Sequence, residues 1–217
     1  MIVSHRHRFI FFAQPRTATH AIRAALQPHL GADDWQQQAL TRTLRLPIPE
    51  LARIGHGHIS LEQAQAWLPE AMWRGYFKFA MVRNPYERYV SACTFLNRGN
   101  PGYAGRETAF MKTALARQMF RRRALVRPQT ALLANGAGIV GMDFVGRYER
   151  LQHDFDRACE RIGIPPCRLT RRNASRHGDY RRYYDAALLE QVNDFYRADF
   201  EQFGYAMAET SEALSCL

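Results

Sequence analysis

Lysine is nearly absent from this chain of 217 residues. Lys78 and Lys112 are its only lysines, so arginine carries almost all of the base behind a formal net charge of +10. The planar guanidinium of arginine binds phosphate and sulfate through paired hydrogen bonds, so this composition favours an anionic ligand. A codon bias that enriches arginine and alanine together would give the same composition, and the charge alone does not separate the two explanations.

Cysteine is also scarce, and its spacing argues against the common metal sites. The four cysteines, Cys93, Cys159, Cys167 and Cys216, form no CxxC pair. That spacing is not typical of a zinc site, and a disulfide framework is not expected at this length. We interpret them as buried thiols or incidental surface residues and expect no metal.

Long apolar runs are missing as well. The longest near the start, Phe9 to Ala13, is shorter than a signal-peptide core and far shorter than a transmembrane helix. The sequence therefore predicts a cytoplasmic protein, or a catalytic domain whose targeting segment lies outside it. With 47% hydrophobic residues and no low-complexity tract, it predicts a single domain over residues 1–217, with a core from about 8 to 205.

Short apolar runs alternate with helical patterns along the chain. Strands are predicted at Arg8–Gln14, Tyr76–Arg83 and Met142–Tyr148. Helices are predicted at Thr19–Pro28, Ser60–Pro69, Tyr86–Leu96, Glu107–Arg123, Pro128–Asn135, Leu151–Ile162 and Asp185–Phe203. Gln36–Pro49 is interpreted as irregular or partly helical, and Ile54–His58 as a short element. The alternation predicts an α/β fold with a central parallel sheet flanked by helices.

Ligands of such folds bind where the strands end, which directs attention to the residues after Gln14, Ile54 and Val82. The first of these ends combines a strand, a tight loop and a helix start, so backbone amides and partial positive charge point outward. Arg16 adds a cation, and threonine hydroxyls add donors. The loop lacks glycine and a Gly-Lys-Ser/Thr ending, unlike the phosphate loop of nucleoside triphosphatases. A purely structural turn is the alternative. The candidate residues are Pro15, Arg16, Thr17, Ala18, Thr19 and His20.

The end of the second predicted strand carries an arginine followed by a helical serine. Arg83 precedes a helix that Pro85 starts, and Ser91 comes two turns along that helix. An arginine fork and a hydroxyl arranged in this way could hold one phosphate. The alternative is that Arg83 and Arg88 only form surface ion pairs with Glu87.

Two histidines among glycines form the third candidate. His56 and His58 alternate with Gly55 and Gly57, and the glycines supply no packing for a core. Histidine is a common general base near neutral pH, so a catalytic base is favoured over a metal site, because no carboxylate or cysteine ligand lies nearby in the sequence. A structural role is the other alternative.

Together these segments resemble the sulfotransferases that use 3′-phosphoadenosine 5′-phosphosulfate (PAPS), and most of all the carbohydrate branch with the heparan sulfate and uronyl 2-O-sulfotransferases. FFAQPRTATHAI resembles that family's 5′-phosphosulfate loop, with Arg16 where the family usually has lysine. FAMVRNPYERYVSA is similar to its 3′-phosphate-binding segment, and His56-Gly57-His58 to the His-Gly-His of the 2-O branch. The resemblance extends over about residues 9–205, including the later segments Phe144–Ile164 and Tyr183–Tyr205.

The resemblance implies a P-loop-like sulfotransferase fold, an enzyme of the EC 2.8.2 class and PAPS as the donor, with no metal. It implies that His58 is the base and that His56 orients the acceptor or supports His58, although the two roles could be reversed. The loop with Arg16 would hold the 5′-phosphosulfate, and Arg83 with Ser91 would hold the 3′-phosphate at the other end of the same nucleotide.

The implied acceptor is a carbohydrate or another hydroxyl-bearing molecule, acidic ones included, and no nucleic acid is expected. Arginines outside the motifs are candidates for contacting an acidic acceptor, or they are only solvated: Arg121, Arg122, Arg123, Arg171, Arg172, Arg181 and Arg182. An ATP-dependent phosphotransferase of similar architecture and a non-catalytic anion or nucleic-acid binder are the alternative functions.

Overall fold

The computed structural model of the chain describes residues 1–38, 43–170 and 178–215. Arg171, Arg172 and Cys216 therefore lie outside the described residues. The strands are β1 Ile2–Ser4, β2 Phe9–Phe12, β3 Trp35–Gln38, β4 Thr43–Leu44, β5 Phe77–Val82 and β6 Phe144–Arg147. The helices are α1 Thr19–Leu26, α2 Pro49–Ala52, α3 Leu61–Trp67, α4 Glu70–Gly75, α5 Pro85–Leu96, α6 Glu107–Ala116, α7 Gln118–Arg121, α8 Thr130–Leu133, α9 Leu151–Arg161, α10 Ala186–Phe203 and α11 Ser211–Ser215. Short 3₁₀ turns occupy Gln27–His29, Tyr148–Arg150 and Tyr180–Tyr183.

The sheet is mixed, so the prediction of a wholly parallel sheet was wrong. Its described strands follow the order β4-β3-β1-β2-β5-β6. Only the β2–β5 and β5–β6 pairs are parallel, whereas β1 lies antiparallel to both β2 and β3. The prediction missed β1, which forms a hairpin with β2 and adds an antiparallel half to the α/β arrangement.

Apolar side chains from α1 and α9 cover one face of this sheet. Phe9, Phe11 and Phe79 form a buried cluster with Ile22 of α1 and Phe155 of α9. Because both parallel pairs lie under these helices, the carboxyl ends of β2 and β5 are fixed by a well-packed core.

Two interpretations of the segment before α3 are corrected. Gln36–Pro49, expected to be irregular or partly helical, contains β3, β4 and the start of α2. Ile54–His58 is a turn and not the end of a strand, because the chain reverses at Gly57, whose φ is +73°. The His-Gly-His segment therefore reaches its position through a turn that follows α2.

Helix caps were predicted more accurately than strands. Ser60 and Gln63 form the expected capping box: the Gln63 amide donates to Ser60 Oγ at 3.2 Å, and the Ser60 amide donates to Gln63 Oε1 at 2.9 Å. Asp185 caps α10 by accepting from the Leu188 amide, and Gly204 ends that helix at φ +60°. These signals are local, so the sequence suffices to locate them.

The chain divides into two compact units, residues 1–82 with 129–173 and residues 83–128 with 174–217. The sheet belongs to the first unit. The second unit has a core of its own around α5, α6 and α10, with Tyr89, Leu115 and Val192 among its buried side chains. The prediction of one domain over residues 1–217 stays a prediction.

The second unit also corrects one predicted helix. Glu107–Arg123 was expected to be continuous, but α6 ends at Ala116 and α7 begins at Gln118, because Arg117 between them has an extended backbone with φ −88° and ψ 121°. No helix among the residues that the structure describes is both long enough and apolar enough to cross a membrane.

Candidate functional site

The loop between β2 and α1 has an unusual backbone. Arg16 and Ala18 adopt left-handed conformations with φ of +66° and +61°, and Thr17 stands between them. Alternation of this kind turns successive amides toward one side and makes a concave anion site. At the start of α1 no described side chain forms a capping hydrogen bond, and the first turn holds no acidic residue. The loop thus combines inward-curved amides, a helix end with partial positive charge and the Arg16 cation.

The two threonines of this loop brace it from inside. Thr17 Oγ1 donates to the Gln14 carbonyl at 3.0 Å, and Thr19 Oγ1 donates to the same oxygen at 2.7 Å. Each hydroxyl has a single proton, so in this structure neither hydroxyl donates outward, contrary to the expectation from the sequence. Their contribution to an anion site is to hold the loop in its curved shape.

His58 lies directly beside this loop. Its Nδ1 is 2.7 Å from the backbone oxygen of Ala13, the residue that links β2 to the loop. A carbonyl oxygen can only accept, so Nδ1 carries the proton of the neutral ring and Nε2 holds the lone pair. The geometry gives His58 the tautomer that a general base requires, with Nε2 as the accepting atom.

His56 has the opposite tautomer. Its Nδ1 accepts from the His58 backbone amide at 3.1 Å, so in the neutral ring Nε2 carries the proton. The two imidazoles are roughly parallel, with ring centroids 5.6 Å apart. His56 is exposed and His58 is half-buried. The pair is therefore asymmetric: His58 is arranged to accept a proton and His56 to donate a hydrogen bond.

Burial controls the charge of His58. It lowers the pKa of His58 to about 3, the charges of His56 and Arg23 lower the pKa further, and the bond to Ala13 acts in the opposite direction. Burial also lowers the pKa of His20, with the charges of Arg23 and Arg16 adding to the effect. His58 is consequently neutral near pH 7, the state in which Nε2 can accept a proton.

A glutamine of β3 holds the histidine turn in place. Gln37 has no exposed surface, and its Nε2 donates to the carbonyls of Ala52 and Ile54 at 2.9 and 3.3 Å. Its own carbonyl accepts from the buried Arg23 of α1 at 2.7 Å. Gln37 thus links α1 to the turn that carries His58. The sequence analysis missed Gln37 and Arg23, and a buried polar side chain that serves backbone carbonyls leaves no motif.

Gly57 is required by both its conformation and its surroundings. A Cβ there would lie 2.4 Å from the Gln37 carbonyl oxygen at a φ of +73°. We expect Gly57→Ala to cost about 1–3 kcal/mol of unfolding free energy, from the left-handed backbone and the overpacking against β3. It should also displace His58 and lower activity. Thermal unfolding and turnover of the purified variant measure both effects.

Gly55→Ala is the matched control for this substitution. A Cβ on Gly55 would meet nothing within 4 Å, so we expect stability and activity close to those of the original protein. Equal losses in the two variants would contradict a specific role for the Gly57 turn.

Arg83 and Ser91 belong to the second unit. Arg83 follows the last residue of β5 in the chain and is 5% exposed, and Ser91 is fully buried on the second turn of α5. The Arg83 fork contacts Glu87 twice, at 3.1 Å from Nε to Oε2 and 2.6 Å between the other nitrogen and Oε1. A phosphate at Arg83 would compete with this carboxylate.

Arg88 does not share this ion pair, so the alternative of surface pairing was wrong for it. Its guanidinium is buried, donates to the carbonyls of Leu125, Val126 and Arg127, and lies over the ring of Tyr196. Arg88 is therefore a structural residue of the second unit.

Comparison with known proteins decides what kind of protein carries this loop. A model of the sulfotransferase family matches residues 1–206. The chain belongs to the sulfotransferase family. Neither the curated proteins nor the solved structures give a match. Membership of the sulfotransferase family confirms the predicted transfer of a sulfuryl group in general and implies a hydroxyl-bearing acceptor; the family generally uses PAPS as its donor. In this sulfotransferase, the described residues include no group of three or more histidine, cysteine, aspartate or glutamate side chains placed to hold a metal ion.

Proposed function

We propose that this sulfotransferase moves the sulfuryl group of PAPS to a hydroxyl of a carbohydrate acceptor, with His58 as the general base. The observation that carries the proposal is the 2.7 Å contact between His58 Nδ1 and the Ala13 carbonyl. This contact sets the tautomer of the ring and keeps the imidazole beside the loop that is suited to the phosphosulfate. A base and a leaving-group site fixed to adjacent residues are what an in-line displacement needs.

The loop with Arg16 would bind the 5′-phosphosulfate, in a role similar to that of a P-loop. The donor, when bound, supplies a sulfuryl group attached to a phosphate leaving group. As the acceptor oxygen bonds to sulfur, the bond between sulfur and the 5′-phosphate oxygen breaks, and the acceptor proton passes to His58 Nε2. Negative charge then builds on the 5′-phosphate, where the loop amides, the α1 helix end and Arg16 stabilise it. Arg16 replaces the point charge of the family's usual lysine with a planar fork.

His56 and His20 have supporting roles in this scheme. A neutral His56 carries a proton on Nε2 and can hydrogen-bond an oxygen of the acceptor. His20 Nδ1 lies 3.0 Å from the Gln38 side-chain amide, so its Nε2 carries the proton and can donate to the phosphosulfate. Both histidines then act as neutral donors, and His58 is the proton acceptor.

Arg83 and Ser91 would bind the 3′-phosphate, which distinguishes PAPS from ATP. Support comes from the buried fork of Arg83, which already binds a carboxylate through two contacts. Phosphate suits the same fork and carries more charge, so it can replace Glu87. The Ser91 hydroxyl would supply one further hydrogen bond.

The alternative of an ATP-dependent phosphotransferase has less support. The loop lacks the Gly-Lys-Ser/Thr ending that binds the β- and γ-phosphates of ATP, and the family match covers nearly the whole chain. A non-catalytic anion binder would not require the asymmetric tautomers of His56 and His58.

Calorimetric titration tests the proposal. We expect adenosine 3′,5′-bisphosphate, the product left by PAPS, to bind without metal and much more tightly than ATP with magnesium. A screen of hydroxyl-bearing sugars with PAPS should then show sulfation. Tighter binding of magnesium–ATP, or no heat with the bisphosphate, would contradict the proposed donor.

A further inference from the structure

One long stretch of the chain has no acidic residue. Between Thr108 and Met142 there is no aspartate or glutamate, although the segment includes six basic residues. Lys112 pairs with Asp185. The other five define an arginine surface: Arg117, Arg121, Arg122, Arg123 and Arg127. All five are exposed.

The positive charge of the arginine surface is not neutralised within the described part of the chain. None of its five members forms an ion pair there, whereas exposed Arg74 and Arg197 each pair with an acidic residue one turn away. Like charges this close in sequence repel one another when no acid separates them. Concentrated, unpaired charge of one sign is the usual mark of a surface that receives a partner of the opposite sign.

The backbone under the arginine surface is held rigidly. Buried Arg88 donates to the carbonyls of Leu125, Val126 and Arg127, at 3.3, 3.4 and 2.6 Å. The Tyr196 hydroxyl also donates to the Val126 carbonyl. Arg121 is itself fixed, since its Nε donates to the Leu115 carbonyl and its guanidinium lies over a ring of α10. The carbonyls therefore point inward on an ordered support while the arginine side chains face solvent, which lowers the entropy lost on binding.

We propose that the arginine surface docks an acidic polysaccharide, so that the acceptor of this enzyme is a carboxylated or sulfated glycan chain. The inference rests on the proposed function, because a transferase acting on a hydroxyl must hold the molecule that carries it. Guanidinium forks bind carboxylate and sulfate groups in pairs, and a repeating polymer offers several such groups in a row.

The composition of the surface argues against two other anionic partners. Its only strongly exposed apolar side chain is Met119, too little for insertion into a membrane interface. Aromatic rings for stacking bases are also lacking, since Phe120 is partly buried against the core of the second unit and lies under Arg123. A glycan needs only the charges and their spacing.

The test removes three arginines for which no side-chain contact is described. The variant Arg117→Gln/Arg122→Gln/Arg127→Gln is compared with a control of equal charge loss elsewhere, Arg6→Gln/Arg74→Gln/Arg197→Gln. Binding of heparin, polygalacturonate, neutral dextran, duplex DNA and vesicles with phosphatidylglycerol is measured over a range of salt. For heparin we expect about tenfold or weaker binding in the first variant only, with a salt slope lower by roughly 2.

Donor binding separates this inference from the proposed function. The bisphosphate should bind both variants as it binds the original protein, and sulfation of a neutral sugar should be unchanged. Equal loss of heparin binding in the two variants would overturn the docking surface, and so would tighter binding of DNA or vesicles than of both acidic polysaccharides. Polysaccharide binding through these arginines in a protein that does not bind the bisphosphate would support the surface and contradict the proposed donor.

Discussion

His58→Asn is expected to lower kcat by about 10²–10⁴-fold, the usual contribution of a general base. Asparagine is the sharpest choice here, because its Nδ2 can replace the Nδ1 donor to the Ala13 carbonyl while no basic atom replaces Nε2. The turn should therefore keep its position, and only proton transfer should be lost. Turnover with PAPS and a responsive acceptor measures the first effect, and calorimetry with the bisphosphate should give an unchanged Kd.

His56→Asn is the matched control for this experiment. Its Oδ1 can accept from the His58 amide as the His56 ring nitrogen does, so we expect a much smaller loss of kcat than in His58→Asn. A larger loss in His56→Asn would exchange the two roles. Full activity in His58→Asn would remove His58 from proton transfer.

Arg83→Gln is expected to weaken binding of adenosine 3′,5′-bisphosphate by about tenfold or more, since a hydrogen bond to a charged group contributes ~1.5–3 kcal/mol. Adenosine 5′-monophosphate has no 3′-phosphate, so its affinity should change little. The measured quantity is the ratio of the two dissociation constants, which tests one phosphate and also controls for folding. Glu87→Gln removes the competing carboxylate and should tighten binding of the bisphosphate.

Arg98→Gln serves as the control for charge, because Arg98 is exposed just after the same helix. It should leave both affinities unchanged. An equal loss for the mono- and bisphosphate in Arg83→Gln, or the same ratio as in the original protein, would disprove the assignment of Arg83 to the 3′-phosphate.

The sequence predicted those elements whose signals are local. The aromatic runs of β2 and β5, the capping box at Ser60 and the end of α10 at Gly204 each depend on a few neighbouring residues. It missed β3, because Gln36, Gln37 and Gln38 have neither the β-branched nor the aromatic side chains that mark a strand. That strand forms because its backbone pairs with β1 and its buried glutamine serves the turn beside it.

The candidate site shows the same division. The loop with Arg16 and the pair of histidines stand out in the sequence as residue types suited to phosphate and proton transfer. The tautomer of His58 could not be predicted, since its partner is the backbone oxygen of Ala13, far away in the chain. Nor could the inward bonds of Thr17 and Thr19 be foreseen, because a hydroxyl offers the same chemistry whichever way it points.

Neither compact unit is a continuous stretch of chain, and this affects how the protein is synthesised. The chain leaves the sheet after β5, forms the first part of the second unit, and returns for β6, whose strand pairs in parallel with β5. The second unit is complete only with α10, near the end of the chain. During translation, therefore, neither hydrophobic core can close until nearly the whole polypeptide has left the ribosome, and aromatic strands such as β2 stay unprotected for most of that time.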